Sequence, residues 1–289
     1  KKLAQGLAGV GADLFDIYAT QTELFASSGM LLDVTEQARE LGFSQKATYP
    51  ALHDDILVDG RQYGFPRNVA AAVCWLNTET FARHGIPEPN YRWTWDEFEK
   101  IGKIFVTAAN PPGTRERSYF IQGVSLVTLR QGLGLSTFNE TMTKCILDDS
   151  RNVEVMRRYY QWVVELHLIP TLAEQSEMAA NVSMSGEDIF YLFAKGRYAM
   201  IYMPRYALIR LRVQGDLPLR AVEVFNSGFP NTEFVCGIVS VYTGSKHQVE
   251  AVRFLQFLTS EPFNLLIARS GDSLPPVPKY VHTEEFLRP

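Results

Sequence analysis

Asp59-Gly60-Arg61-Gln62-Tyr63-Gly64-Phe65-Pro66, then Arg67-Asn68 and the run Val69-Ala70-Ala71-Ala72-Val73-Cys74-Trp75-Leu76, is the stretch on which the fold turns. Asp and Gly tolerate the left-handed backbone of a tight turn. Asp59-Gly60 therefore reads as a hairpin turn between Ile56-Leu57-Val58 and Gln62-Tyr63-Gly64-Phe65. The apolar run from Val69 to Leu76 reads as a strand. Working outward, Thr78 to His84 is a short helix stopped by Gly85, followed by a loop with Pro87 and Pro89. Thr94-Trp95-Asp96-Glu97 has the form of a capping box, in which Thr94 caps the helix and Glu97 answers it. The helix it opens carries Phe98, Ile101, Ile104 and Phe105, spaced for one buried face.

Upstream, Leu3 to Leu7 reads as the tail of an amphipathic helix ended by Gly9 and Gly11. Leu14 to Ala19 is a short strand, and Thr20 is the expected N-cap of a helix over Glu23, Leu24 and Phe25 that stops at Gly29. Leu31 to Thr35 leads into a helix ending near Gly42. Downstream, helices are expected over Asn152–Leu166, Glu187–Phe193 and Gln248–Leu258, and strands over Tyr198–Tyr202 and Phe234–Tyr242. Helices and strands mix without strict alternation, so the fold class is α/β.

The chain has 289 residues, 46% of them hydrophobic and 21% charged, as expected for one large domain or two lobes with a sizeable core. Its formal net charge of −4, with no basic run, argues against nucleic acid as a partner. No stretch approaches the roughly 18 apolar residues that span a bilayer. The sequence starts at Lys1-Lys2-Leu3 without an initiator Met, so a signal segment upstream is expected. Cys74, Cys145 and Cys236 are far apart and odd in number, which excludes a complete disulfide framework within the chain; no bridge is expected.

Motifs of catalysis are absent. His53, His84, His167, His247 and His282 have no His or Cys at ligand spacing, so no metal site is expected. Gly132-Leu133-Gly134 lacks the Lys and Ser/Thr of a phosphate cradle and reads as a helix terminus. Asp54-Asp55 and Asp148-Asp149 read as loop or helix-start positions rather than as a glycosidase pair. Tyr159-Tyr160 could serve a ferric ion, yet Val155, Tyr159 and Trp162 share a helical face, so packing is the better reading. The aromatic content of 12% suits a sugar pocket, which needs flat apolar faces beside polar groups, but most aromatics in any protein are core.

The order of segments resembles the extracellular solute-binding family that contains maltose-binding protein. Gly11-Ala12-Asp13-Leu14-Phe15-Asp16-Ile17-Tyr18 is similar to the family's Gly-x-Pro-Asp-hydrophobic segment, with Ala12 in place of Pro. Asp59 to Pro66 is similar to its hairpin, and Leu76-Asn77-Thr78-Glu79-Thr80-Phe81 to the strand end that follows. Thr94-Trp95-Asp96-Glu97-Phe98 matches its helix start, and Phe193-Ala194-Lys195-Gly196-Arg197-Tyr198-Ala199-Met200 its Gly-Lys strand entry. A looser match covers Cys236 to Ser240, Ser245-Lys246 and the helix to Ser260. The family begins with a strand and helix that have no counterpart here, so the natural chain is expected to be longer.

This resemblance implies a two-lobed periplasmic-binding-protein fold with a hinge and several lobe crossings. Residues 1–66 and 235–269 would form lobe I, and 72–224 and 274–289 lobe II. The stretches 67–71, 225–234 and 270–273 would be the crossings. It also implies a ligand cleft whose residues carry over position by position: Tyr18, Thr20 and Gln21 after the first strand, Arg67 and Asn68 after the hairpin, Arg205 and Tyr206 after the Gly-Lys strand, and Glu233, Phe234 and Ser273 at the other crossings. Met203-Pro204-Arg205-Tyr206 replaces the family's Gly-containing segment there. The implied protein is a periplasmic or extracellular monomer, with or without a lipid anchor. It captures a carbohydrate, closes on it and delivers it to the membrane subunits of an ABC importer. No catalytic residue, metal or cofactor is expected. Alternatives are a polyamine, a ferric ion, a small anion or acidic sugar as ligand, or a carbohydrate-active enzyme.

Overall fold

The computed structural model describes residues 2–182 and 188–287, so Lys1, Glu187, Arg288 and Pro289 lie outside the described residues. Among them, the strands are β1 (Leu14–Tyr18), β2 (Leu57–Val58), β3 (Arg61–Gln62), β4 (Phe65–Asn77), β5 (Tyr119–Gln122), β6 (Tyr198–Pro204), β7 (Leu219–Val222) and β8 (Phe234–Val241). The Asp59-Gly60 turn closes β2 on β3, with φ of 51° and 75° at its two residues. Positive φ at both positions matches the right-handed twist of the flanking strands, which is why Asp-Gly suits it. The described residues of Lys1–Ala71 and Phe234–Pro289 form one unit, and Ala72–Glu233 the other. Strand β4 runs from the first into the second.

In the first unit β8 is the middle strand. It is antiparallel to β1, from Leu14 opposite Val241 to Tyr18 opposite Gly237, and antiparallel to the first half of β4. Cys236 and Ile238 pack on one face with Phe15, Ile17, Leu52, Ile56 and Val69. Val239 and Val241 pack on the other with Phe65, Ala38 and Leu255. A strand covered on both faces is buried on both rather than alternating, and from Cys236 to Val241 every position of β8 is buried. Burying each of the Val, Leu, Ile and Phe side chains among these contributes about 1.5–3 kcal/mol.

The second unit has the sheet order β5-β6-β4-β7, with β5 parallel to β6 and the other pairs antiparallel. Its core is aromatic: Phe98 stacks on Phe225 at 3.8 Å and meets Trp162 edge-on at 4.8 Å. Trp93 and Trp95 are buried in the same cluster. The Trp162 indole is held by a 3.2 Å bond from Nε1 to Glu99 Oε2. The Thr94 capping box forms as read, opening the helix Trp95–Ala109.

Several local readings change. Ile104 is not on the buried face of that helix; the buried line runs Phe98, Gly102, Phe105. Gly102 sits so close to Phe120 and Leu168 that a Cβ there would meet ring carbon at 2.8 Å, and this approach sets the helix rotation. Thr20 is not an N-cap but lies inside the 3-10 turn Ala19–Gln21 ahead of the helix Thr22–Ser27. The expected helix over Asn152–Leu166 is α-helical only through Ser150–Tyr160 and continues as a π turn over Gln161–Glu165. Val155 and Trp162 are buried on it and Tyr160 faces solvent. Strand β4 starts at Phe65 rather than Val69, because Phe65 already pairs with Val239.

The tail also differs. The described part of 274–289, expected in lobe II, belongs to the first unit, and 270–273 does not lead out of it. Backbone bonds between Val69 and Leu274 in both directions, and bonds from Thr48 to Pro276 and from Tyr49 to Pro275, hold this segment there.

Candidate functional site

Within the first unit the bulge in β4 is the place to start. The β4–β8 register slips between Pro66 and Asn68, leaving Arg67 as the extra residue. Pro66 has no N–H to give to the ladder, and a bulge re-aims the side chain it carries. Arg67 lies over Gly237, where a Cβ would sit 2.9 Å from its Nε. From there Nε donates to Asp16 Oδ1 at 3.0 Å. Asp16 precedes Tyr18 by two positions on β1, so both project from the same face of the strand. The Tyr18 N–H donates to Gln21 Oε1 at 3.3 Å, which folds the chain back just beyond the strand.

Asp16, Tyr18, Gln21 and Arg67 line one cavity of about 480 Å³, with Lys2 and the apolar Leu3, Ile17, Leu24 and Phe25. Tyr18 is 62% exposed, which leaves a ring face open to a ligand. The Arg67–Asp16 pair is about half exposed, where an ion pair contributes little to folding. Its arrangement offers fixed donors and acceptors side by side.

Asn68 and Ser273 come together elsewhere in this unit. Asn68 Nδ2 donates to Asp272 Oδ2 at 3.0 Å and to Ser273 Oγ at 3.2 Å, and Ser273 Oγ donates to Asp272 Oδ2 at 3.0 Å. Ser273 is buried, so its hydroxyl serves this triangle. Thr20 lines a different cavity, of about 280 Å³, with Glu23, Asp54, Asp55 and Asp59. Burial and the neighbouring Asp54 charge raise the Asp55 carboxyl above its ordinary range. Phe234 packs edge-on against Tyr49 at 6.2 Å.

In the second unit, Arg205 and Tyr206 follow β6 directly. Arg205 is buried, and Tyr206 is 38% exposed. Burial and the Glu233 charge raise the Tyr206 phenol, which puts the two groups in one electrostatic neighbourhood. Glu233 is fixed through its backbone: its N–H donates to the Tyr202 hydroxyl at 2.8 Å, and its carbonyl accepts from the Ala72 N–H at 3.0 Å. Thr232 Oγ1 adds a 2.6 Å bond to the Ala72 carbonyl.

The residues expected from sequence thus fall into five places: Tyr18, Gln21 and Arg67 together; Asn68 with Ser273; Tyr206 near Glu233, with Arg205 just before it; Thr20 in its own cavity; and Phe234 against Tyr49. Asp16 and Asp272 join them unexpectedly. Strand alternation could have flagged Asp16, because it shares the exposed face of Tyr18. Among the described residues, no three of His, Cys, Asp or Glu gather as a metal-ligand set.

The profile of the family described as bacterial extracellular solute-binding protein matches residues 1–263. Curated proteins yield no match. Solved structures do. An ABC substrate-binding protein from Listeria monocytogenes in complex with cycloalternan is 20% identical, with a TM-score of 0.79 over 99% of this chain and 70% of its own. The maltose-bound MalE3 of T. maritima is 16% identical, with a TM-score of 0.77 over 98% of this chain and 71% of its own. UgpB from Mycobacterium tuberculosis, in complex with glycerophosphocholine, is 15% identical, with a TM-score of 0.77 over 99% and 70%. At these identities the likeness concerns the fold, a mixed α/β architecture of the periplasmic solute-binding kind.

Proposed function

Because the chain belongs to the bacterial extracellular solute-binding protein family, we propose that it binds a carbohydrate outside the cytoplasmic membrane and passes it, unaltered, to the membrane subunits of an ABC importer. The observation that carries the carbohydrate reading is the Asp16–Arg67 pair in the cavity beside Tyr18 and Gln21. A sugar presents neighbouring hydroxyls that each donate and accept, edged around an apolar ring face. A carboxylate beside a guanidinium supplies acceptors and donors at fixed spacing, and the two charges offset each other. Tyr18 supplies the aromatic face. Buried polar groups built for hydroxyls reject a solute lacking them, since the pocket's own groups would be left unpaired.

The reading extends to a monomer, lipid-anchored or free. No catalytic step is part of it. Relatives in complex with cycloalternan and with maltose are consistent with a sugar. A second reading, a polyamine, is favoured by the cavity beside Thr20, where Glu23, Asp54, Asp55 and Asp59 supply carboxylates.

Thermal unfolding against neutral oligosaccharides, uronic acids and polyamines separates the two. A ligand present at 100 times its dissociation constant adds about 2.7 kcal/mol to the folded state. A saturable rise with a neutral sugar supports the first reading. A rise with polyamines alone replaces it with the second.

A further inference from the structure

We propose that the second unit carries a separate binding site for a small oxyanion, a phosphate or carboxylate compound, at the N-terminal ends of β5 and β6. This inference does not depend on the carbohydrate reading. The site is a cavity of about 440 Å³. Arg115 and Arg117 approach it from the segment before β5, and Lys195 and Arg197 from the turn before β6. Its floor includes Tyr119, buried at the start of β5, and Met178.

The state of each charge in the cavity decides what it can hold. Arg197 is tied down: Nη1 bonds the Glu116 carboxylate and Nη2 donates to the Arg117 carbonyl at 2.7 Å. Its Nε is buried without an acceptor. A buried N–H left without an acceptor is costly and calls for an oxygen. Glu174 is already committed, accepting from the Thr171 N–H at 2.8 Å and the Thr171 hydroxyl at 2.7 Å, and bonding Tyr119. Lys195 lies over the Tyr191 ring at 5.4 Å. Arg115 and Arg117 are exposed and have no ion-pair partner among the described residues. The lining as a whole carries four cations, Arg115, Arg117, Lys195 and Arg197, against three carboxylates, Glu116, Glu174 and Glu177. A surplus of one positive charge in a concave site is a local exception in a chain whose net charge is −4. Guanidinium groups bind carboxylate and phosphate in matched two-pronged geometry.

The site is also distinct from the Tyr206–Glu233 group. Arg197 precedes β6 and Tyr206 follows it, so the seven residues of the strand separate them by roughly 23 Å at about 3.3 Å per residue.

The test is isothermal titration of the intact protein at low ionic strength, with inorganic phosphate in one arm and citrate in the other. The expected result is saturable binding of at least one probe. In the Arg115→Ala/Arg117→Ala variant, affinity falls about tenfold or more, as the loss of charge-assisted bonds requires. Both arginines are exposed, so the variant keeps its fold, checked by its circular dichroism. Binding of phosphate alone or of citrate alone supports the site and names the chemistry. Absence of saturable binding by either probe, or equal affinity in the variant, overturns it.

Discussion

Arg67 is held by geometry on three sides: a bulge aims it, Gly237 makes room beneath it, and Asp16 anchors its Nε. Removing it as Arg67→Ala should weaken sugar binding by about tenfold to a hundredfold, since a charged hydrogen bond contributes about 1.5–3 kcal/mol. The melting temperature should barely move, because the ion pair is half exposed. Titration calorimetry beside thermal unfolding checks both halves. A second residue-scale outcome concerns pH. Burial, then the Arg83 charge, lowers the His84 imidazole below its ordinary value of 6.5. The unfolded chain therefore takes up this proton first as pH falls, so stability is full above pH 6.5 and declines below it. Denaturant unfolding from pH 7.5 down to about 5.5 should show this slope, and His84→Gln should reduce it, the remainder coming from His167, which burial also lowers. Tyr18, Gln21 and Arg67 were singled out because each sits at or just after a strand or turn signal, and the structure brings them to one cavity. Asp16 was not singled out, although strand alternation puts it on the exposed face with Tyr18; its pairing with Arg67, 51 residues away, has no local signature.

The Thr94 helix start was legible because its capping box pairs residues three apart, whereas Thr20, with no such partner, was misread as a cap. Thr94→Ala removes the Thr94 Oγ1 acceptor from the Glu97 N–H and should cost about 1 kcal/mol in denaturant unfolding, with sugar affinity unchanged. Gly237→Ala is the contrasting case. Its new methyl would press on the Arg67 Nε and Cζ rather than on backbone, so the guanidinium must move. The variant should lose sugar affinity nearly as Arg67→Ala does while unfolding close to wild type. Equal affinity would mean that Arg67 does not touch the ligand. The strands β5 and β7, four residues each, gave no readable periodicity of their own and are defined by their partners β6 and β4. Ile104 was misread for a related reason. Spacing alone offers several helical faces, and the contact of Gly102 with Phe120 and Leu168 selects among them.

At the scale of the molecule, the α/β class and the family were legible because local signals recur in a fixed order from Gly11 to Ser260, and the family profile covers residues 1–263. The assignment of the C-terminal stretch was not legible, since it rests on the backbone pairing of Val69 with Leu274, some two hundred residues apart. The cavity beside Tyr18 was not legible as a unit for the same reason: its lining comes from separate segments of the chain. A protein of this kind should bind a sugar and return it unchanged. The decisive measurement is isothermal titration with the oligosaccharide chosen by thermal shift, followed by chromatography of the recovered sugar after long incubation. One site per chain, heat that saturates, and intact sugar are expected. Cleaved or altered sugar, or heat that never saturates with any carbohydrate, would overturn carbohydrate binding as the function.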